Sequence, residues 1–522
     1  MADILPWFLA AIPIATVLFL MIKLRLGGSR AGAAGWIAAV AIALFAFGAD
    51  IEMLLYAQTK GALLTLYVLY IVWAALILYF ICAETGAIDV IGQNIQRLTN
   101  EKELQLLIVG FVFSSFLQGV AGFGVPIAVV APLLVGMGFS PLVAVAAPAI
   151  GHSWSVTFGN MATSFEALLA VTGIDGSVIA SDAGLMLGVS CLLCGWAVLM
   201  VYGGWHSVRK CWGSLLIISA VMATTQYIFA TIGLWTIAGF SAGIAGLFAS
   251  IVVTRFKSNG SQPSAQITDT NGTAKMSLGW ALAPYIIFII VIALTSFVAP
   301  IKEFLSQTSL SLPFPELKTS LNWVIPAETG KNINLFNHPG AHLLYTAIIT
   351  FILYGFTGFY KNGALKTILS KTVKSGVPTS LGMASMVCMA VVMDHSGMTY
   401  RLALGISSLL DQAYPVVAVA IGSLGAFMTG STTNSNVVFG IFQRHAAEIS
   451  GYSTAVILAA QTTGASLGSM LAPAKILVGC STVGLAGQEG DVLAATLKWG
   501  IYLVLILGFG LLGILLIDGA LT

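Results

Sequence analysis

The sequence predicts an all-α polytopic membrane protein with about twelve transmembrane helices, two re-entrant hairpins and two inverted repeats. Hydrophobic residues make up 58% and charged residues only 8% of the 522 positions, and the mean hydropathy is +0.96. Soluble proteins carry about 25% charged residues, so most of this surface must face lipid. Two polar, glycine-bearing breaks that lie 313 residues apart in apolar surroundings indicate a repeat.

Twelve apolar stretches are predicted to cross the bilayer as helices, because a helical span needs about 20 residues. They cover residues 4–22, 31–48, 62–83, 141–172, 183–205, 213–233, 236–254, 280–299, 341–358, 375–396, 453–480 and 494–516. Residues 86–98 carry Ile88, Ile91 and Ile95 on one helical face, which predicts an amphipathic helix at the membrane interface. The segment 300–340 is predicted to cover the outer face.

Two further apolar stretches, residues 104–138 and 414–447, are interrupted near their middle by glycine or by Ser, Thr and Asn. Each half is expected to be too short to span, which predicts two re-entrant helical hairpins; two kinked spans are the alternative. Broken backbone at membrane depth survives only where protein or a watery cavity surrounds it. Such breaks in corresponding halves of a chain are typical of the binding sites of secondary transporters.

The distribution of basic residues predicts the orientation of the chain, because cytoplasmic loops are enriched in Lys and Arg. The predicted inner loops contain Lys23, Arg25, Arg30, Arg97, Lys102, Arg209, Lys210, Arg255, Lys257, Lys275, Lys361, Lys366, Lys371 and Lys374. Both termini then lie outside. Seven spans separate the two hairpins, and this odd number turns the second hairpin upside down relative to the first.

The predicted domain organisation is two membrane repeats joined by a linker. Residues 1–255 form the first repeat, with a hairpin near 104–138, and residues 277–522 form the second, with a hairpin near 414–447. Residues 256–276 are rich in Ser, Asn, Gln, Thr and Gly, which is typical of a flexible linker, here on the cytoplasmic side. Aligning 138–161 with 451–474 gives seven identities in 24 positions, at Gly138, Ser140, Val143, Ala146, Ala147, Gly151 and Ser153.

A half-helix that begins at membrane depth presents unpaired N–H groups and the positive end of its dipole, which suits a carboxylate or a phosphate. Glycines in the first hairpin let the backbone approach such a ligand, and hydroxyl and amide groups in the second can cap a half-helix or bind the ligand. Breaks at Gly151–Ser153 and Gly464–Ser466 are predicted to face each other. The candidate substrate-binding residues are Gly122, Gly124, His152, Ser153, Ser431, Thr432, Thr433, Asn434, Ser466 and Lys475, with Gln118, Asn160 and Gln461 as further pocket lining.

Ionisable side chains inside membrane helices are candidates for coupling, because they are costly to bury. His152 lies at the first break and is a candidate for substrate or proton contact, or else for a structural hydrogen bond. Glu166 is a candidate proton carrier. Asp394 and His395 are candidates for proton coupling, or else a surface pair at a helix end near the outer face. Lys475 is a candidate for a fixed positive charge beside a carboxylate, with a snorkelling lysine as the alternative.

The same residues argue against an enzyme. The six histidines are dispersed, and Cys191 and Cys194 have no nearby His or acidic partner, so the sequence predicts no metal site, no cofactor and no nucleophile constellation. No feature of the chain indicates a nucleic-acid partner. A passive channel is the remaining alternative to a transporter.

Several motifs resemble those of the bacterial L-lactate permease family. They are Gly119-Val120-Ala121-Gly122-Phe123-Gly124-Val125-Pro126, Gly151-His152-Ser153-Trp154, Leu467-Gly468-Ser469-Met470 and Cys480-Ser481-Thr482-Val483-Gly484. The resemblance covers essentially the whole chain. It implies a transporter of the ion-transporter group in the bacterial inner membrane, which takes up L-lactate, and also D-lactate and glycolate, by proton symport.

The partners that this resemblance implies are a small monocarboxylate, protons and the lipid bilayer, and it leaves open a homo-oligomer. A sodium-coupled transporter of another small organic anion on the same fold is the alternative. Hard cations prefer oxygen ligands, and residues 431–436 offer hydroxyl, amide and carbonyl oxygens.

Overall fold

The computed structural model describes residues 4–24, 26–122, 124–257, 276–485 and 488–517. Most of the predicted linker, residues 258–275, lies outside this range, as does Phe123 of the first hairpin.

The first half of the chain contains eleven helices in the described residues. They are α1 (Ile4–Ile22), α2 (Gly28–Ala46), α3 (Ile51–Glu84), α4 (Ala87–Gln96), α5 (Lys102–Leu106), α6 (Ser114–Val120), α7 (Val125–Gly136), α8 (Pro141–Gly151), α9 (Thr163–Thr172), α10 (Gly176–Thr231) and α11 (Trp235–Lys257). A π-helical segment, Leu107–Phe113, joins α5 to α6 without a break. Short 3₁₀ turns at Ser153–Ser155 and Asn160–Ala162 lie between α8 and α9.

The second half adds ten helices and a small β-ribbon within the described part. The helices are α12 (Leu278–Phe297), α13 (Ala299–Leu305), α14 (Pro339–Phe356), α15 (Ala364–His395), α16 (Met398–Leu410), α17 (Tyr414–Thr429), α18 (Thr432–Ser450), α19 (Thr454–Gly468), α20 (Pro473–Thr482) and α21 (Glu489–Ile517). The strands are β1 (Ser309–Leu310), β2 (Pro313–Phe314), β3 (Leu317–Lys318), β4 (Val324–Ile325), β5 (Glu328–Thr329) and β6 (Ile333–Asn334), paired antiparallel as β1–β6, β2–β5 and β3–β4.

The predicted number of membrane spans is confirmed. Eleven helices in the described ranges are long and apolar enough to cross a membrane, or twelve if the bent pair α8 and α9 counts as one span. The predicted spans 183–205 and 213–233 belong to one long helix, α10, which at ~1.5 Å per residue is far too long for one crossing. Gly203 and Gly204 leave helical geometry near its middle, and Gly204 has φ 59°, so the kink divides α10 into two arms.

Both hairpins have the predicted helix–break–helix form. Hairpin 1 consists of residues 102–136 and hairpin 2 of residues 414–450; in each, the two arms pack against each other. The expectation that every arm is too short to span is wrong for the first arm of hairpin 1, which runs unbroken from Lys102 to Val120. That arm is 94% buried, so it is surrounded by protein rather than by lipid.

The order of elements in the first half recurs in the second. The first series of elements is α1, α2, α3, α4, hairpin 1, the pair α8 and α9, and the first arm of α10. The matching series, in the same order, is α12, α14, α15, α16, hairpin 2, the pair α19 and α20, and then α21. Ile51 and Ala364 begin α3 and α15, and Pro141 and Thr454 begin α8 and α19, so both pairs of starts are 313 positions apart. The exact limits of the two domains stay a prediction.

The helices pack in two layers. The frame consists of α1, α2, α3, α12, α14 and α15, and the hairpin layer consists of the two hairpins with α8 to α11 and α19 to α21. The layers touch where α3 meets α9 and where α15 meets α18. The short helices α4 and α16 contact both layers. Helix α4 forms where an amphipathic helix was predicted, with its apolar face packed against protein, whereas α16 was not predicted.

The segment after α13 covers one end of the frame. The Ser320 backbone N–H donates to the Gly48 carbonyl at 2.9 Å, and the Lys331 ammonium lies 5.1 Å from the centre of the Tyr67 ring. Lys60 forms an ion pair with Glu328. These contacts hold the β-ribbon against α2 and α3 at one end of the frame, and that this end faces outward stays a prediction.

Candidate functional site

Four half-helices begin inside the protein. They are α7 after residues 121–124, α9 after residues 152–162, α18 after residues 430–431 and α20 after residues 469–472. The predicted break at Gly464–Ser466 is therefore wrong, because these residues lie within α19. Gly464 serves a different purpose: a Cβ there would lie 1.9 Å from the Val419 carbonyl oxygen, so only glycine lets α19 approach α17 this closely.

The four helix starts meet in two pairs, and each pair takes one half-helix from each repeat. At the first, Gly124 precedes α7 and lies against Lys475 near the start of α20, since a Cβ on Gly124 would be 3.7 Å from Lys475 Cγ. At the second, the hydroxyls of Ser164 on α9 and Thr433 on α18 are 3.0 Å apart. Two positive dipole ends therefore converge at each place, which favours an anion.

Protein side chains close the α9–α18 meeting point. Asn436 Nδ2 donates to the Ser164 carbonyl and to Thr462 Oγ1, both at 2.9 Å. Thr432 Oγ1 donates to the Ala465 carbonyl at 3.0 Å, which also ties hairpin 2 to α19. The hydroxyls of Thr432 and Thr433 thus have protein partners in this state.

The start of α18 is capped in the ordinary way. Ser431 Oγ accepts from the Asn434 backbone N–H at 3.3 Å, and Gly430 before it has φ 69°, a left-handed conformation that glycine adopts readily. Substrate roles for Ser431, Thr432, Thr433 and Asn434 stay predictions.

Ser466 joins the two repeats beside the first break. Its hydroxyl donates to the Ser153 carbonyl at 2.6 Å and accepts from the backbone N–H groups of Val156 and Thr157, at 3.1 and 3.2 Å. The Ser153 hydroxyl donates to the Ile150 carbonyl at 2.8 Å. The structure therefore brings the two predicted serines together, where they fix the non-helical chain after α8.

The α7–α20 meeting point borders a cavity of about 200 Å³. One wall is formed by hairpin 1, the connection between α8 and α9, and α20, with Ala121, Gly124, Val125, Ala128, Asn160 and Val478. The frame forms the other wall, with Ala75, Leu76, Tyr79, Phe80 and Ser375. The cavity thus lies between the two layers. The repeat relates this place to the one where α9 packs against α3 and α18 packs against α15. One meeting point is closed and the other is open.

Lys475 is buried without a counter-ion. Only 9% of the residue is exposed, and no carboxylate in the described ranges lies within ion-pair distance of its ammonium. Buried charges are normally paired. An unpaired ammonium beside the starts of α7 and α20 therefore indicates a place for an anionic ligand.

His152 is a buried neighbour of Lys475. It is fully buried, its Nδ1 is 2.5 Å from the Pro148 carbonyl, and its Nε2 has no partner among the described residues. Its ring is near enough to Lys475 for a direct electrostatic interaction. The predicted structural hydrogen bond is thus present, and the free ring nitrogen leaves the predicted proton or substrate contact available.

Glu166 connects the two layers. The Tyr67 hydroxyl on α3 donates to Glu166 Oε2 at 2.6 Å, and the Trp235 indole N–H on α11 donates to Oε1 at 2.8 Å. Only 4% of Glu166 is exposed. Both donors are neutral side chains, and Tyr67 belongs to the frame whereas Trp235 belongs to the hairpin layer.

Asp394 and His395 have separate partners. Asp394 Oδ1 lies 3.0 Å from His445 Nε2, which joins α15 of the frame to α18 of hairpin 2. His395 is buried, with Nδ1 3.1 Å from the Val391 carbonyl. Sequence reasoning missed His445, because a contact between residues so far apart leaves no local pattern.

The connection between α8 and α9 contains a strained turn that the sequence did not predict. Asn160, Met161 and Ala162 have φ of 46°, 56° and 56°, in the left-handed region that residues other than glycine rarely adopt. Asparagine tolerates this region best, but methionine and alanine give no local signal for it. The turn places Asn160 in the wall of the cavity.

A membrane fold with two hairpins and two broken helices, whose half-helix starts meet at an unpaired buried lysine, defines a secondary transporter. The chain matches the L-lactate permease family over residues 7–517 and belongs to that family. It is accordingly a multi-pass membrane permease and not an enzyme.

Individual relatives agree with this assignment over nearly the full length. The chain is 29% identical to the L-lactate permease of Escherichia coli K12, covering 96% of this chain and 94% of that protein. It is also 29% identical to the glycolate permease GlcA of the same organism, with the same coverage of 96% and 94%. The YdaH transporter of Alcanivorax borkumensis has a similar fold, with a TM-score of 0.51 over 90% of each chain and 16% identity.

Proposed function

We propose that the protein takes up L-lactate, with D-lactate and glycolate as further substrates, by proton symport across the bacterial inner membrane. Relatives named as L-lactate and glycolate permeases support L-lactate and glycolate as substrates. The observation that carries the proposal is Lys475, whose buried ammonium has no carboxylate partner in the described part of the chain.

A substrate carboxylate would supply the missing negative charge. It would accept hydrogen bonds from the Lys475 ammonium, beside the positive end of the α7 dipole. Gly124 keeps the backbone close to Lys475, and the adjacent cavity of about 200 Å³ suits a small acid. The apolar wall formed by Leu76 and Phe80 suits a short hydrocarbon chain.

The orientation of the chain supports a cytoplasmic opening of this cavity. Lys371 and Glu84 form an ion pair at 3.0 Å at the same end of the frame as the cavity-lining residues Tyr79 and Ser375. The positive-inside rule assigns that end to the cytoplasm and both termini to the outside. The closed α9–α18 meeting point then faces outward. Movement of the hairpin layer against the frame would open one meeting point and close the other.

We assign the coupled proton to Glu166. Its carboxyl group lies at the contact between layers and has only neutral donors, Tyr67 and Trp235, as hydrogen-bond partners. Ionisable groups inside membrane helices are costly to bury and commonly mark proton pathways, which supports this assignment. His152, Asp394 and His395 remain candidates for proton coupling, at other places in the fold.

Uptake of labelled L-lactate into proteoliposomes under an imposed pH gradient tests the proposal. We expect accumulation by the unaltered protein and at least a 10-fold loss in Lys475→Ala. The matched control is Lys366→Ala, which removes an exposed lysine of α15 and should change nothing. Absence of uptake under any gradient would refute lactate symport, and a sodium requirement at fixed pH and voltage would establish the sodium-coupled alternative instead.

A further inference from the structure

We propose that the side-chain amides of Gln118 and Asn160 bind the 2-hydroxyl group of the substrate, and so select 2-hydroxy acids over 2-keto and unsubstituted acids. The inference rests on the proposed carboxylate site at Lys475 and adds a second point of recognition to it. It is carried by two buried amides that lack partners beside the cavity.

The two amides lie beside each other against the tip of hairpin 1, with Gln118 on α6 and Asn160 in the turn before α9. A Cβ on Gly122 would be 3.3 Å from Gln118 Nε2 and 3.5 Å from Asn160 Cβ, so both side chains contact the same glycine. Gly124, two positions further on, contacts Lys475. The Lys475 side chain and the two amides therefore border the same tip of hairpin 1, where one small ligand can contact all three.

Neither amide is satisfied by the protein. Gln118 is 2% exposed and Asn160 is 7% exposed, and no group in the described residues donates to Gln118 Oε1 or Asn160 Oδ1. Buried polar atoms normally have a partner. The neighbouring hydroxyls of Thr157 and Ser466 are both hydrogen-bonded. Unpaired buried atoms occur elsewhere in the described residues, such as His152 Nε2, but Asn160 is the one that lines the cavity.

Backbone strain holds Asn160 in place. It begins the run of three left-handed residues that ends at Ala162, and strained backbone of this kind persists where the surrounding structure enforces it, often at functional sites. The strained backbone and the unpaired side-chain oxygen thus coincide at Asn160, which lines the cavity.

The chemistry of the amide group matches a hydroxyl. An amide offers both an acceptor and a donor, and a hydroxyl group both donates and accepts. The substrate hydroxyl can therefore hydrogen-bond to each amide through either its oxygen or its nitrogen. A 2-keto group only accepts, and a methylene group does neither. Sites built to bind a hydroxyl discriminate strongly against analogues that lack it, because their polar groups are then left unpaired.

Counterflow in proteoliposomes loaded with unlabelled L-lactate tests the inference, because exchange does not depend on the driving ion. Competition of glycolate, pyruvate and propionate against labelled L-lactate gives the selectivity of each variant. Asn160→Gly removes the amide and keeps the left-handed backbone accessible, and Gln118→Met keeps the side-chain length and the helical propensity. Gln226→Met is the matched control, since Gln226 is a fully buried amide of α10 that also lacks partners among the described residues.

We expect the unaltered protein and Gln226→Met to prefer L-lactate over propionate by at least 10-fold. In Asn160→Gly and Gln118→Met that ratio should fall to within about 3-fold, with propionate binding unchanged. If a variant does not transport, the shift in melting temperature that L-lactate and propionate each cause in detergent gives the same comparison. Unchanged ratios in both variants would overturn the inference. A protein that exchanges no monocarboxylate at all would instead refute the proposed function.

Discussion

The Ser466 hydroxyl donates a 2.6 Å hydrogen bond to the Ser153 carbonyl, and these two residues occupy corresponding positions in the two repeats. Residues related by a two-fold operation can touch only close to its axis. The local geometry before them also corresponds, because Gly138 and Gly451, which precede α8 and α19, have φ of 84° and 72°. The pseudo-two-fold axis therefore passes near Ser153 and Ser466, with the open and closed meeting points on either side of it.

Replacement of Ser466 should destabilise the junction of the repeats. Ser466→Ala removes one donated and two accepted hydrogen bonds and leaves buried N–H groups of Val156 and Thr157 unpaired. We expect a loss of about 1–3 kcal/mol and a lower melting temperature in detergent. Ser481→Ala is the control, because that exposed hydroxyl bonds only to the Val478 carbonyl within its own helix. Equal melting temperatures for both variants would contradict the proposed role of Ser466.

Enlargement of Gly464 should separate α19 from α17. In Gly464→Ala the new Cβ would meet the Val419 carbonyl oxygen at 1.9 Å, and backbone cannot move aside as a flexible side chain can. We expect poor expression or a melting temperature well below that of the unaltered protein. Gly213→Ala on α10 is the matched control, since nothing lies within 4 Å of its Cβ position. A stable Gly464→Ala protein would mean that α17 and α19 are not packed this closely.

Local sequence patterns located the tips of both hairpins and the amphipathic helix α4. Gly124 and Gly430 both adopt positive φ, as turns in short polar interruptions require. Helix α16 follows α15 as α4 follows α3, so the repeat itself could have revealed it. Gly464 was misread as a break because a glycine that permits close packing looks the same in sequence as a glycine that ends a helix.

The features that sequence reasoning missed depend on tertiary packing. The left-handed turn at residues 160–162 is enforced from outside, and His445 meets Asp394 across the interface between layers. Lys475 could be selected as a candidate, but its lack of a counter-ion is a property of its surroundings. Burial, contact and missing partners therefore identify the site more sharply than residue type does.

The pair Asp394 and His445 should stabilise the closed outer side. Their 3.0 Å contact joins α15 to α18, so Asp394→Asn or His445→Gln should favour the outward-open state. A larger outward-open population lowers the apparent KM for external L-lactate, by about 2–5-fold for a modest shift. Initial rates of uptake by intact cells measure this change.

The two substitutions should not be additive, because both break the same contact. The double variant should therefore resemble either single variant. Glu316→Gln, on the exposed cover after α13, is the control. An unchanged apparent KM in both single variants would show that this contact does not influence the conformational equilibrium.

Glu166→Gln should separate transport from proton coupling. The amide preserves the shape of the side chain and still accepts a hydrogen bond from Tyr67 or Trp235, but it cannot take up a proton. We expect counterflow of L-lactate to stay within about 3-fold of the unaltered protein, whereas a pH gradient should no longer drive accumulation. Tyr67→Phe should keep the coupling, because it removes only the hydroxyl that donates to Glu166 and leaves the carboxyl group intact. If Glu166→Gln still concentrates L-lactate in response to a pH gradient, the proton is carried elsewhere, and the unpaired ring nitrogen of His152 is then the next group to replace.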